Sequence, residues 1–378
     1  MSVEAIEKSS SVDSTEQFIS ADKALGRSGK FRFGFILMSL MVIGLVAIAV
    51  VFFFREKLIP KLQSKALFIP IARNNTDVSP TETVEKTSPQ DSSQFSDSLS
   101  VAPDPRLVEQ ARFGVVPKIS EDGVKPREVY SRPMKAVKPE VQLAVSDSGS
   151  TTPQSKPRIG IIVMGAGLSA TSTIEALITL PADITFAFSP YANNAGTQVA
   201  DARRDGHEVM LEIPMESASP RIQDPGRMAL LTGLEANENL ERLSWIMSRF
   251  SGYFGLIPVM GERFLAQPEK LTPVLQDLSD RGLAMISPTT SPIVEGLARK
   301  LDLPFDQVSI QVDANLDEKS IVAELAKLEE IARKNGSAVG TMRPISITTR
   351  QLKTWIKTLS DKGIELVPVS AILLKRGN

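Results

Sequence analysis

Cysteine is missing from all 378 residues, and histidine occurs once, as His207. The first absence excludes disulfides, thiolate metal sites and cysteine nucleophiles together. The second leaves no set of imidazoles to hold zinc, and a lone histidine without neighbouring ligand residues makes a poor metal site. A serine triad would have to use His207 as its base, yet no Gly-x-Ser-x-Gly elbow accompanies it. Charge of one sign is also lacking. The 43 Lys and Arg residues balance 44 Asp and Glu, for a net charge of −1. No global field therefore favours nucleic acid or an acidic polymer, and no nucleic-acid partner is expected.

Charge is missing locally too. Phe33 to Phe54 is a run of 22 residues without a charged side chain. At about 1.5 Å per residue it can cross a hydrocarbon core of about 30 Å as one helix. Arg55, Glu56 and Lys57 follow it, where a cleaved signal peptide would have small residues, so the run is expected to remain as an anchor. Lys23, Arg27, Lys30 and Arg32 before the span nearly balance Arg55, Lys57, Lys61 and Lys65 after it. The short polar head and the large remainder decide the orientation: residues 1–32 in the cytoplasm, 33–54 in the membrane, and everything beyond exported.

Between Asn74 and Pro105 the chain is Ser, Thr, Pro, Asp and Gln with few large apolar residues, too little surface to offset ordering entropy. Residues 55–111 therefore read as a flexible, disordered stalk. Residues 112–133 differ in composition, with Phe113, Val115, Val116, Ile119, Val129 and Tyr130, and are expected to dock on the domain that follows. Residues 134–157 read as a second linker, and 158–376 as the folded domain.

That domain has a regular grammar. Four times a helix-like stretch ends on glycine and an apolar run begins at once, at Gly206, Gly282, Gly336 and Gly363. Leu240, Leu243, Met247 and Phe250 share one helical face, as do Ile321, Leu325, Leu328 and Ile331. Thr232 and Glu235 have the spacing of a capping box. Adding the runs Ile159–Met164, Ile184–Phe188, Tyr253–Ile257 and Val308–Val312 gives about eight strands alternating with helices. The class is α/β with a parallel sheet, either a closed or nearly closed β/α barrel or an open doubly wound sheet. In both, chemistry sits at the carboxyl ends of the strands.

Three motifs decide further. Phe188-Ser189-Pro190-Tyr191-Ala192, the stretch Gly206 to Glu216 and Met260-Gly261-Glu262-Arg263-Phe264 together resemble the divergent polysaccharide deacetylase family. The resemblance covers nearly all of 158–370 and implies a deformed β/α barrel related to metal-dependent hydrolases that remove acetyl groups from sugar polymers. It also implies where metal ligands would stand, and this chain departs there. Met164-Gly165 occupies the place of an aspartate pair. Val259, Glu212 and Arg343 occupy places of histidines, and Ser287 that of an aspartate. Asp313 loosely matches another family acid. Gly167, Pro190, Tyr191, Pro214, Met215, Gly261, Arg263, Thr289, Thr290 and Pro344 are retained.

The degenerate ligand positions are thus Met164, Gly165 and Val259, and the expected pocket comprises Glu212, Glu216, Glu262, Arg263, Ser287, Thr289, Asp313 and Arg343. No catalytic residue and no cofactor are expected. A hard divalent metal on Glu212, Glu216, Glu262 and Asp313 is the alternative, with Arg263 and Arg343 competing for the same acids as ion-pair partners. Gly165-Ala166-Gly167-Leu168-Ser169-Ala170 fits a dinucleotide turn, but the second strand ends Phe188-Ser189-Pro190 without the acid such a site needs. His207 opens its strand, the wrong end for barrel chemistry, and reads as structural. The expectation is a single-pass bacterial inner-membrane protein with its C-terminal domain in the periplasm. That domain would be a degenerate module, a pseudoenzyme that binds cell-envelope glycan or an envelope protein without zinc-type deacetylation. The alternatives are an active deacetylase with unusual ligands and a non-glycan scaffold.

Overall fold

The computed structural model describes residues 99–133 and 156–373. The span read at Phe33–Phe54, the head before it, most of the stalk and most of the second linker lie outside them. Among the described residues no helix is long and apolar enough to cross a membrane.

The chain begins with a 3-10 turn (Pro105–Leu107), a hairpin of β1 (Val108–Ala111) and β2 (Gly114–Pro117), and a short helix α1 (Pro126–Tyr130). The domain proper then alternates: β3 (Arg158–Ala166), α2 (Ala170–Thr179), β4 (Thr185–Phe188), α3 (Ala195–Arg204), β5 (Val209–Met215), α4 (Ala236–Met247), β6 (Gly255–Met260), α5 (Pro268–Asp280), β7 (Ala284–Ser287) and α6 (Pro292–Lys300). It ends with β8 (Phe305–Gln307), β9 (Ile310–Gln311), α7 (Glu318–Asn335), β10 (Ser337–Met342), α8 (Ser346–Leu359), β11 (Glu365–Leu366) and α9 (Ser370–Leu373).

The sheet has nine strands, ordered β8-β7-β6-β5-β4-β3-β10-β9, with β11 beside the first residues of β3. Every pairing in it is parallel. It curls so far that one stretch of chain reaches both edges: Val308 N–H donates to Ser287 C=O at 2.9 Å, and Ser309 N–H to Val339 C=O at 2.8 Å. This curled parallel sheet is the deformed β/α barrel. The sequence count of eight missed β8, because Phe305-Asp306-Gln307 holds no apolar run.

Strand alternation sorts the side chains into two cores. Ile159, Ile161, Val163, Leu211 and Ile213 face the helices and pack with Leu243, Leu271, Leu325 and Leu352. Ile162, Ala187, Met210, Ile257, Ile286 and Val339 face the inside of the curl. No residue of α2–α8 joins that inner cluster; Leu107, Tyr130, Val369, Ile372 and Leu373 fill it instead. The curl is therefore plugged from one end by the segment before the domain and by α9.

Charged groups fasten that plug at the amino ends of the strands. Arg203 donates to Ser100 C=O at 2.7 Å, Gly252 C=O at 2.8 Å and Tyr130 C=O at 3.1 Å. Arg281 donates to Glu109 and to Pro117 C=O, each at 2.8 Å. The turn at Gly282, with φ +69°, lies so close to Lys125 and Ile119 that a Cβ there would meet them at 2.9 and 3.0 Å. Residues 99–111, within the stretch read as stalk, are thus built into the fold through β1 and these contacts.

Candidate site at the mouth of the barrel

With the amino ends plugged, the carboxyl ends of the strands form the open mouth, where α/β barrels keep their chemistry. Glu212 lies on β5 between Leu211 and Ile213, which face the helices, so alternation turns its side chain into the curl. Its side chain is buried, and its Oε1 accepts the N–H of Gly165 at 2.5 Å. Burial raises its pKa to about 8, against the smaller downward pull of that N–H. At neutral pH Glu212 is a neutral acid.

Glu216 follows the end of β5. Its Oε2 accepts both the N–H and the hydroxyl of Thr232 at 2.6 Å, and its Oε1 lies 3.4 Å from Arg263 Nη1. Burial raises its pKa, but the Thr232 bonds and the Arg263 charge outweigh that and hold it below the ordinary carboxyl range. Thr232 therefore caps no helix. The cap of α4 is Glu235, with Glu238 completing the box, which corrects the Thr232–Glu235 reading. Glu262 is exposed, and its Oε2 accepts the Ala218 N–H at 3.3 Å. The Ser287 hydroxyl, at the end of β7, donates to Thr289 C=O at 2.6 Å.

Asp313 and Arg343 leave the neighbouring strands β9 and β10 together. Asp313 Oδ2 accepts the Arg343 N–H at 2.9 Å and its Nε–H at 3.0 Å, while Arg343 Nη2 donates to Asp313 C=O at 2.9 Å. The acid is fully buried and its Oδ1 has no hydrogen-bond partner among the described residues. Met342 pairs with Val163 in register, the last pair of β10 with β3, and Arg343 and Met164 are the residues that follow it. Val259 is half-buried and pairs with Pro214.

The mouth thus brings its polar residues together in separate pairs: Glu212 with Gly165, Glu216 with Arg263, Asp313 with Arg343. Among the described residues no three His, Asp or Glu side chains cluster so as to hold a metal ion. A metal of the hydrolase kind does not fit these donors. Glu212 is turned onto a backbone N–H and neutral, and the carboxylates of Glu216 and Asp313 face arginines. The glycine turn is likewise occupied from within, since the Gly165 N–H meets Glu212 and the Gly167 N–H donates to Thr173 Oγ1 at 2.9 Å.

Glu208 escaped the sequence reading. It is fully buried at the plugged end of β5. There it accepts the Arg132 N–H at 2.6 Å, the Ser370 N–H at 3.3 Å, the Ser370 hydroxyl, and the Thr185 hydroxyl at 3.3 Å. Its spacing was the available signal: Glu208, Glu212 and Glu216 recur at even intervals from just before β5 to just after it, the interval that keeps strand residues on one face. His207 sits at the same end. Its Nδ1 lies 2.9 Å from Ile184 C=O, and its ring meets Phe186 edge-on at 4.8 Å. Burial lowers its pKa against the opposing pull of the Ile184 and Leu177 carbonyls, and its place at the plugged end makes it a structural residue. A cavity of about 480 Å³, lined by Val101, Val115, Val199, Arg203 and Phe250, also lies at this end and not at the mouth.

A family model described as divergent polysaccharide deacetylase matches residues 161–373, more than half of the chain. The crystal structure of an uncharacterized protein from Agrobacterium tumefaciens C58 is 32% identical with a TM-score of 0.62, covering 68% of this chain and 99% of that one. An uncharacterized protein of Haemophilus influenzae is 25% identical over 197 residues, 51% of this chain and 68% of the relative. The uncharacterized protein YibQ of Escherichia coli K12 is 22% identical over 200 residues, 52% of this chain and 61% of the relative.

Proposed function

Because the chain belongs to the divergent polysaccharide deacetylase family, we propose that its barrel mouth binds cell-envelope glycan and does not carry out zinc-type removal of acetyl groups. The observation that carries this reading is the pairing at the mouth. Met164, Gly165 and Val259 bring no donor side chain, and Glu212 is turned onto the Gly165 N–H. A catalytic zinc site needs three convergent protein ligands and an open position for water. What remains is a mouth with apolar and polar groups together, the usual make-up of a binding pocket. Co-sedimentation of the full-length chain with purified peptidoglycan tests it. Wild type should pellet with the glycan, and an excess of soluble muropeptides should release it; a protein that stays in the supernatant at every concentration contradicts the reading.

A second reading, a scaffold for envelope proteins, is favoured by the rim. Leu168 and Ile222, on the loops leaving β3 and β5, are 63% and 87% exposed. Under that reading the same protein ignores glycan, and substitutions at Leu168 and Ile222 disturb its assemblies.

We further propose that the uncharged run Phe33–Phe54 anchors the chain in a bacterial inner membrane with the domain in the periplasm. An alkaline phosphatase fusion after residue 150 should be active, whereas a cytoplasmic fluorescent reporter working at that site overturns the topology.

A further inference from the structure

We propose that Arg343, held in place by Asp313, makes the mouth selective for a saccharide that carries a carboxylate. The inference rests on the glycan-binding reading and names the chemistry by which the mouth chooses among glycans.

Three hydrogen bonds fix Arg343 from one side: its own N–H and its Nε–H on Asp313 Oδ2, and its Nη2 on Asp313 C=O. The acid side chain is completely buried, whereas the arginine side chain is 45% exposed. The guanidinium is therefore gripped from beneath, with Nη1 left for a ligand. A planar fork with its donors set in advance loses little freedom on meeting a carboxylate, and bonds between ionised partners are the stronger kind. Asp313 and Arg343 together carry no net charge. A single negative charge suits such a pair better than a phosphate dianion, which would add two charges above a buried carboxylate.

The neighbours favour the same ligand. Arg343 and Met164 follow the last pair of β10 with β3, and the next residue, Gly165, takes up Glu212 through its N–H. That carboxyl is buried and turned inward, so it presents no anion to compete for the outer face of Arg343. Across the mouth at the end of β6, Arg263 repeats the arrangement: 53% exposed, and backed by Glu216, which is 12% exposed. In both pairs an acid lies beneath and a guanidinium outward.

Two disaccharides of equal length test the proposal by calorimetric titration of the full-length chain in mild detergent. One is N-acetylglucosaminyl-N-acetylmuramic acid, which bears a carboxylate; the other is neutral diacetylchitobiose. Wild type should bind the acidic disaccharide at least tenfold more tightly. Arg343→Gln should abolish the difference, Arg343→Lys should keep part of it, and Asp313→Asn should narrow it, each with native near-ultraviolet circular dichroism. A merely structural role for Asp313 would lower both affinities alike and leave their ratio unchanged. Equal binding of the two sugars by wild type overturns the carboxylate inference while leaving the glycan reading standing. Binding of neither overturns both.

Discussion

Glu212 on β5 accepts the backbone N–H of Gly165 at the end of β3, reaching past the short strand β4 that lies between them. One neutral carboxyl therefore ties two strand ends together at the mouth, where the family pattern would place a metal ligand.

That tie has a pH signature. The pKa of Glu212 rises from 4.5 to about 8 on folding. Between those values the folded state holds a proton that the unfolded chain releases, so stability falls as pH rises from about 4.5 to 8 and levels off above. At about 1.4 kcal/mol per unit, the full effect is on the order of 5 kcal/mol. Glu212→Gln keeps an acceptor and cannot ionise. Its melting temperature relative to wild type should climb between pH 5 and pH 8.5, and a difference that stays flat with pH refutes the neutral-acid assignment.

Glu208 should matter for stability at the plugged end, away from the mouth. Glu208→Ala leaves the Arg132 N–H, Ser370 and Thr185 without their shared acceptor in a buried place. The expected loss is about 3 kcal/mol in urea titration, with Glu208→Gln losing roughly half as much. An alanine variant as stable as wild type would mean that the plugged end is not locked by this carboxylate.

Arg203 should hold the preceding segment. It is buried, stays charged at neutral pH although burial lowers its pKa to about 10, and serves three carbonyls besides lying over the Tyr130 ring. Arg203→Met should raise amide hydrogen exchange across residues 99–130 at least tenfold, while β10 keeps its protection. Uniform exchange throughout the domain would point to a general loss of stability instead.

Apart from β8, the strands from β3 to β11 and the helices between them were legible in the sequence because their signals are local. Glycines such as Gly206, with φ +90°, punctuate four of the helix-to-strand turns, and apolar runs follow them. Contacts between distant residues left no such trace. Glu208 meets Ser370 across 162 positions and Arg132 across 76, and nothing local marks either. Thr232 read as a helix cap because Glu235 stands three residues on, yet its partner is Glu216 on another element. At the mouth, the residue types were readable from the family resemblance. Their pairing was not, since Asp313 and Arg343 lie 30 residues apart, and Gly165 and Glu212 lie 47 apart.

Acetate release tests the account most directly. The full-length chain would be incubated with peptidoglycan and with chitin oligomers in the presence of zinc, cobalt or manganese, and in parallel with chelator, while acetate is followed over time. The account predicts glycan binding with no acetate above the protein-free control, with or without metal. Acetate release that requires a metal and disappears in Glu212→Ala would contradict it.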